Sequence, residues 1–390
     1  MAEGDSILNS EIGSQLADNN DVTVLGYSQS ATISTMEMED IANGSAGIDP
    51  TSGQLSFVLL GDPNNPNGGM LERLDFPPGS DPSIPSLGIT FSGATPVTEY
   101  PTDIYTAEYD GFADFPRYPI NLLSDLNALL GILFVHTQYP DLTDLGSAVE
   151  VPTSAGYDGA TSYYMIPTDD LPLLDPLRSI PVIGNPLSDL LQPDLEVLVN
   201  LGYGDPDYGW VNEDANVPTP AGLFPSLADL EKVPGLLVSG TEEGIQKAIS
   251  DLEDPSQLFS LANNPLLNLL ETPYISAVAS EDIAIPAPDD TLQGIVNAFS
   301  DAASEFYSAL LPSADIANAL LTTLPAEDAG IFADELGQGD LIDAIGLPLA
   351  ADTALIPLAG LFEIATVGES ALIGALDLVS PFVDVQGFIP

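Results

Sequence analysis

Cysteine is absent from the 390 residues. That absence removes disulfides, thiolate catalysis and thiolate zinc sites together. Histidine occurs once, as His136. A multi-histidine metal site is therefore excluded, and any reaction needing an imidazole base has one place to find it. Cations are nearly missing too. Arg73, Arg117, Arg178, Lys232 and Lys247 make a total of 5, against 59 Asp and Glu, for a formal net charge of −54. A surface of that sign repels phosphate backbones and anionic headgroups, so no nucleic-acid partner is expected. Acidity of this kind is read first as solubility. The opening MAEGDSILNSEI has neither a cationic nor an apolar leader region, so no signal peptide is visible. No uninterrupted apolar run reaches transmembrane length; the nearest, residues 346–366, carries Asp352 and Glu363.

What is present suffices for a folded core. Apolar residues make up 45% of the chain and mean hydropathy is +0.19, which sets it apart from a disordered acidic chain. The most informative stretch is residues 21–40, DVTVLGYSQSATISTMEMED. Val22, Val24 and Leu25 read as a short buried strand. Gly26-Tyr27-Ser28-Gln29-Ser30 reads as a sharp turn. Residues 31–42 read as a helix, closed by Asn43-Gly44. A serine between strand and helix matches the nucleophile elbow, which exposes Oγ above a sheet. The amide of Gln29 then lies at a helix N-terminus, where an oxyanion would form. The usual G-x-S-x-G ends in glycine; here Ser30 takes that place, still a small residue.

Before the elbow strand, residues 6–19 read as a helix. After it, residues 55–60, LSFVLL, read as a second buried strand ending in a loop rich in Gly, Asn, Asp and Pro at 61–69. Such loops at strand carboxyl ends are where open α/β sheets place their sites. The Asp and Asn spacing does not fit an EF-hand, so a structural turn is preferred to a calcium loop. Residues 103–109 alternate as a strand. Residues 119–135 form a strongly apolar helix, with Asn121 and Asp125 on its polar side and His136 at its carboxyl end. Residues 148–152 and 161–167 can pair as a hairpin, and 187–201 form another helix. Beyond about residue 218 the strand signals fade. Apolar helical segments broken by Pro and Gly succeed one another at 242–252, 256–270, 291–310, 313–324 and 340–366. This implies two parts, 1–215 and 216–390, the second apolar enough to need a covering surface.

Acyl transfer at a serine needs a base beside it and a carboxylate to orient the base. The order serine, acid, histidine is available as Ser28, an acid after the 103–109 strand, and His136. Two acids compete. Asp110 ends the strand. Asp114 stands in a G-x-x-D turn beginning at Gly111 and is preferred, with Asp110 as the alternative.

The blocks VTVLGYSQSATIS, YDGFADFPRYPINLLSDLNALLGILFVH, and YYMIPTDDLPLLDPLRSIPVIGNPLSDLLQPDLEVLVNLGYGDPDYGW occur in this order. Through them, residues 1 to about 215 resemble the PE-PPE domain of mycobacteria and their relatives. The segment DLIDAIGLPLAADTALIPLAG resembles the region C-terminal to that domain in such proteins. The resemblance implies a cutinase-like α/β-hydrolase fold with a doubly wound sheet and a helical C-terminal region. It implies a serine esterase on acyl esters, with Ser28, an acid at Asp110–Asp114, and His136, and with no metal or organic cofactor. Some relatives are acyltransferases that build trehalose glycolipids, so transfer to a sugar hydroxyl is the alternative, and a non-catalytic envelope scaffold is a third reading. Family domains usually begin with a strand and a glycine-rich turn that supplies an oxyanion-hole amide. This chain starts in the helix before the elbow, so its sheet is expected to lack that first strand. The resemblance also implies secretion or envelope location, with the apolar C-terminal region as the means of association.

Overall fold

The computed structural model describes residues 1–51, 53–74, 76–77, 79–142, 145–253, 264–271 and 291–382. The central sheet has five strands: β1 (Val22–Tyr27), β2 (Leu55–Leu60), β3 (Thr102–Ala107), β4 (Val149–Glu150) and β5 (Thr161–Ile166). Their spatial order is β1-β2-β3-β5-β4, parallel throughout except for β4, which pairs antiparallel to β5. The hairpin read from the sequence is this β4–β5 pair, with Val149 opposite Met165. The elbow strand β1 forms one edge of the sheet and pairs along β2.

The parallel register gathers one apolar stripe. Val24 stands opposite Phe57, Leu59 opposite Ile104, and Ile104 opposite Tyr163. All are buried. Alternation along each strand puts them on one face. Helices α1 (Ala2–Ala17) and α2 (Gln29–Asn43) cover that face through Ile12, Ala31, Met38 and Ile41. Gly44 ends α2 in the left-handed conformation, φ 74°, as the Asn43-Gly44 signal predicts. Because β1, β2 and β3 run parallel, the loops after all three open on the same rim.

Helix α3 (Leu122–Phe134) is capped by Asn121, whose side chain accepts from the Leu123 amide. The expectation that Asp125 lies on a polar face of this helix does not hold. Asp125 is buried, neither of its oxygens has a hydrogen-bond partner, and burial pushes its carboxyl up to about 9. The neighbouring surface is not solvent but α4 (Gly184–Asn200) and the turn before it, which pack over α3.

The 61–69 loop is held by its own side chains. Asn64 donates to the Gly93 carbonyl (2.6 Å), Asn65 to the Ala113 carbonyl (3.2 Å) and Asn67 to the Val211 carbonyl (2.8 Å). These amides serve as staples between distant loops. Arg73 does similar work from the interior. Its buried guanidinium donates to the Phe115 carbonyl and to Thr219. The segment past residue 215 is thus fastened to the sheet-bearing part: Ala221 donates its amide to the Arg73 carbonyl and Gly222 to the Arg117 carbonyl.

The rest of the described chain is helical: α5 (Leu227–Glu253), α6 (Leu292–Ser308), a run from Leu310 through α7 (Leu324–Gln338), and α8 (Leu341–Val379). Helix α5 begins well before the expected 242–252 because Pro234 lies inside it instead of ending it; α8 takes in Pro348 and Pro357, as the expected 340–366 helix does, and runs on to Val379. A proline costs a helix one hydrogen bond and some straightness, and tertiary packing overrides that here. Residues 256–263 of the expected 256–270 helix lie outside the described residues; Pro265–Glu271 is helical. Helix α8 buries Ala344, Leu347, Ala351, Ala354 and Leu358 at helical spacing and exposes Ile342, Ile345, Leu349 and Ile356. Although no apolar run in the sequence reaches transmembrane length without interruption, α8 as formed is long and apolar enough to cross a membrane by length and composition, and 33% of its most apolar window is buried.

Buried acids give the fold an unusual response to pH. Burial pushes Asp62 up to about 6, Glu108 up to about 7 and Asp125 up to about 9. Each keeps its proton in the fold to a higher pH than in the unfolded chain. The stability it contributes is full below the unfolded value of about 4 and is lost as pH rises to the folded value. Self-repulsion of a chain at −54 acts in the same direction. Thermal unfolding is therefore expected to move to higher temperature as pH falls from 8 to 5. A midpoint that drops over that interval would contradict the protonated state of these acids.

Candidate active site

The site is built where β1 runs into α2. Ser28 occupies the junction with φ 56° and ψ −123°, a backbone conformation that costs a non-glycine residue about 1–3 kcal/mol. Neighbours hold it there. The Ser28 amide donates to the Leu60 carbonyl (3.0 Å), tying the turn to β2, and its carbonyl accepts from the Ala31 amide (2.9 Å) at the start of α2. Gly26 is required by contact: a Cβ there would stand 2.8 Å from the Ala31 Cα. Ser30, in the place where the motif has glycine, adds what glycine lacks. Its hydroxyl donates to the Tyr27 carbonyl and accepts from the Tyr27 amide, both at 2.8 Å, closing the turn on itself.

The loop after β3 and the carboxyl end of α3 bring the remaining groups. His136 follows α3 and is buried. Its Nε2 lies 2.7 Å from Ser28 Oγ. Its Nδ1 lies 2.9 and 2.8 Å from the two oxygens of Asp110. Asp110 is fully buried and fixed from two further directions: the Phe112 amide donates to Oδ1 (3.0 Å) and the Tyr139 hydroxyl to Oδ2 (2.9 Å). The imidazole itself sits among rings, stacked on Tyr27 with centroids 5.2 Å apart and edge-on to Phe112 at 4.8 Å. The Tyr27 hydroxyl donates to the His136 carbonyl (2.7 Å). Gly61, at φ 55°, leaves the space the ring needs; a Cβ there would lie 3.0 Å from His136 Cε1.

Asp114, the acid preferred from the G-x-x-D pattern, is elsewhere. Its Oδ2 accepts from the Tyr109 amide (2.9 Å), its other oxygen has no hydrogen-bond partner, and it is fully buried. Burial holds its carboxyl well above the usual range. The acid against His136 is Asp110, the alternative. The physical reason is the chain reversal after β3: Tyr109 adopts φ 67°, which turns Asp110 toward the rim and leaves Asp114 beneath the turn to satisfy the Tyr109 amide.

Gln29 contributes the first amide of α2, beside Ser28. Its side chain lies against the turn at Gly88, where a Cβ would stand 2.6 Å from Nε2. The sequence reading missed Tyr139 and Phe112 as groups that fix the acid, and Gly61 as the space under the imidazole. Gly61 carried a usable signal, a glycine ending a buried strand. Among the described residues no group of three or more His, Asp or Glu converges as a metal site would.

Comparison with known proteins places this geometry. The PE-PPE domain family model matches residues 1–204, and the chain belongs to that family. An uncharacterised PPE family protein of Mycobacterium tuberculosis, PPE28, is 45% identical over 92% of this chain and 55% of its own length. Esterase PE16 of the same organism is 50% identical over 60% of this chain and 42% of its own length. Diacyltrehalose acyltransferase Chp2, also of that organism, is 31% identical over 55% of this chain and 58% of its own. The chain spans about half the length of the curated relatives it matches. No solved structure matches it.

The environment of Asp114 makes a prediction about stability. Asp114→Asn keeps an oxygen for the Tyr109 amide and removes no charge from a protonated group, so it should change stability by under about 1 kcal/mol. Asp114→Ala leaves that amide unpaired in the interior and should cost about 1–3 kcal/mol. Equal losses for both in urea unfolding would contradict the assigned hydrogen bond.

Proposed function

We propose that this chain is a serine ester hydrolase in which Ser28 is the nucleophile, His136 the general base and acid, and Asp110 the group that orients the imidazole. The observation that carries the reading is the continuous contact from Ser28 Oγ through His136 to Asp110 at 2.7 and 2.8 Å. Membership of the PE-PPE family and the similarity to a relative named an esterase support it.

The chemistry comes from the placement of these groups. Ser28 Oγ attacks the acyl carbonyl while its proton passes to His136 Nε2. Asp110 beside Nδ1 keeps the imidazole in the tautomer that leaves Nε2 free to accept, and stabilises the imidazolium that forms. The Gln29 amide, at the positive end of α2, donates to the developing oxyanion. Collapse returns the proton from Nε2 to the leaving alcohol and leaves an acyl-serine. Water, activated by the same imidazole, then releases the acid. A sugar hydroxyl in place of water would give acyl transfer. The relatives named acyltransferases, Chp2 and an acyltransferase for SL1278, favour keeping that outcome in view.

The test is p-nitrophenyl ester hydrolysis by the parent chain, Ser28→Ala, Asp110→Asn and Asp114→Asn. Ser28→Ala should abolish turnover. Asp110→Asn should lower kcat by about 10³- to 10⁴-fold through the wrong tautomer. Asp114→Asn should stay within about threefold of the parent. Equal rates for the parent and Ser28→Ala would sink the assignment, and a larger loss in Asp114→Asn than in Asp110→Asn would return the orienting role to Asp114. Adding trehalose and analysing products separates hydrolysis from transfer.

The envelope reading rests on the exposed Ile and Leu side of α8. A surface at −54 should admit apolar contact with neutral bilayers and reject anionic ones. Vesicles of phosphatidylcholine are expected to carry the chain to the pellet at low salt, and those of phosphatidylglycerol are not. Binding to neither would remove the envelope role.

A further inference from the structure

An apolar cavity lies between the sheet-bearing part and the C-terminal helices. Its near wall is the ribbon around Ile84 and Ile89, with Phe91. Its far wall is Leu320 from the run before α7, with Leu358 and Phe362 from α8. The volume is about 60 Å³, and the lining is almost wholly apolar. Glu327 is the one charged residue that lines it among the described residues, and its carboxylate is engaged by the Ser80 hydroxyl at 2.6 Å. In a chain with so much acid, an apolar slot of this kind selects against charged ligands.

Each wall touches a residue that adjoins the reacting groups. The ribbon turns at Gly88, and Gln29, next to Ser28, rests its side chain on that turn. On the other side Phe362 stacks on Phe112 with centroids 6.2 Å apart, and Phe112 meets the His136 ring edge-on. The helical run opposite the ribbon carries a π-helical turn, Ala319–Thr323, where it lines the cavity. Such turns widen a helix locally and are frequent at functional sites. Two hydrogen bonds clamp the walls together, Ser80 to Glu327 and the Ser86 amide to Asp315 (3.1 Å).

We propose that this slot receives the acyl chain of the ester attacked by Ser28, so that the C-terminal helices, which lie outside the residues matched by the family model, set acyl-chain selectivity. The proposal rests on the esterase reading above for the identity of the chain's reactive end. It assigns the helices a substrate-binding role beyond covering the sheet-bearing part.

The experiment compares kcat/KM for p-nitrophenyl decanoate and acetate in the parent, in Leu320→Trp and in Ile84→Trp, which fill the slot from opposite walls. Each buried methylene contributes about a three- to fourfold gain in binding, so excluding two or more should lower the decanoate-to-acetate ratio about tenfold or further in both variants. A ratio within twofold of the parent in both would overturn the proposal. A second readout does not depend on turnover. The fluorescence of methyl cis-parinarate, a neutral ester, should rise on binding to Ser28→Ala and fail to rise with Ser28→Ala carrying Leu320→Trp. Equal enhancement in the two would also overturn it. If Ser28→Ala cleaved the acetate ester as fast as the parent, the esterase reading would fall by itself, and the fluorescence would still decide the slot.

Discussion

The backbone of Ser28 is the constraint on which the rest of the site depends. A side chain other than glycine at φ 56° is disfavoured, so the surrounding structure must over-determine it. It does so in three ways. Gly26 lets β1 and α2 approach within contact of Ala31, the Ser30 hydroxyl closes the turn on the Tyr27 backbone, and the Ser28 amide is spent on the carbonyl that ends β2. The gain is position. With the turn fixed to β2, Oγ points at the rim where the loops after β2 and β3 also open, and the imidazole of His136 arrives from α3 at hydrogen-bond distance. In the proposed reaction this preorganisation would lower the barrier, because no group need move when charge develops.

The two aspartates four residues apart show how little residue type decides on its own. Both are buried. Asp110 meets an imidazole nitrogen, an amide and a phenol, a full set of donors. Asp114 meets one amide, with the Arg73 guanidinium acting on it from nearby, and burial outweighs both and holds its proton on. A buried carboxyl starved of donors keeps its proton. The left-handed Tyr109 between strand and acids determines which is which.

Charge and apolarity are divided with equal sharpness. Few cations exist to neutralise 59 acids, and one of the few, Arg73, is buried as a clasp joining the loop at Phe115 to the segment at Thr219. The clasp explains why the change of character near residue 218 is not a break in the structure. Helix α8 docks on the sheet-bearing part through Ala354, Leu355, Leu358 and Phe362, packs Ala350 and Ala351 with Ile331 and Leu223, and leaves Ile342, Ile345, Leu349 and Ile356 outward. Small residues permit close helix approach, and the narrow slot beside Phe362 is what that approach leaves over.

Much was legible from sequence because it is local. The apolar run LSFVLL, the turn at GYSQS, the cap at Asn43-Gly44 and the apolar run ending at His136 are short-range signals, and strand, elbow, helix and the place of the single histidine come from them. The absence of cysteine and of a second histidine narrowed the chemistry before any fold was considered. The tertiary structure alone decided three things. It set Asp110 and not Asp114 against His136, since the direction of the Tyr109 turn separates the two acids. It buried Asp125, whose apparent polar face is covered by a helix some 60 residues further along the chain. It also carried α5 back through Pro234, because packing against α4 outweighs the loss of one hydrogen bond. Sequence determines what a residue can do within a few neighbours, and the partners that assign it a role come from loops that only the parallel sheet brings to one rim.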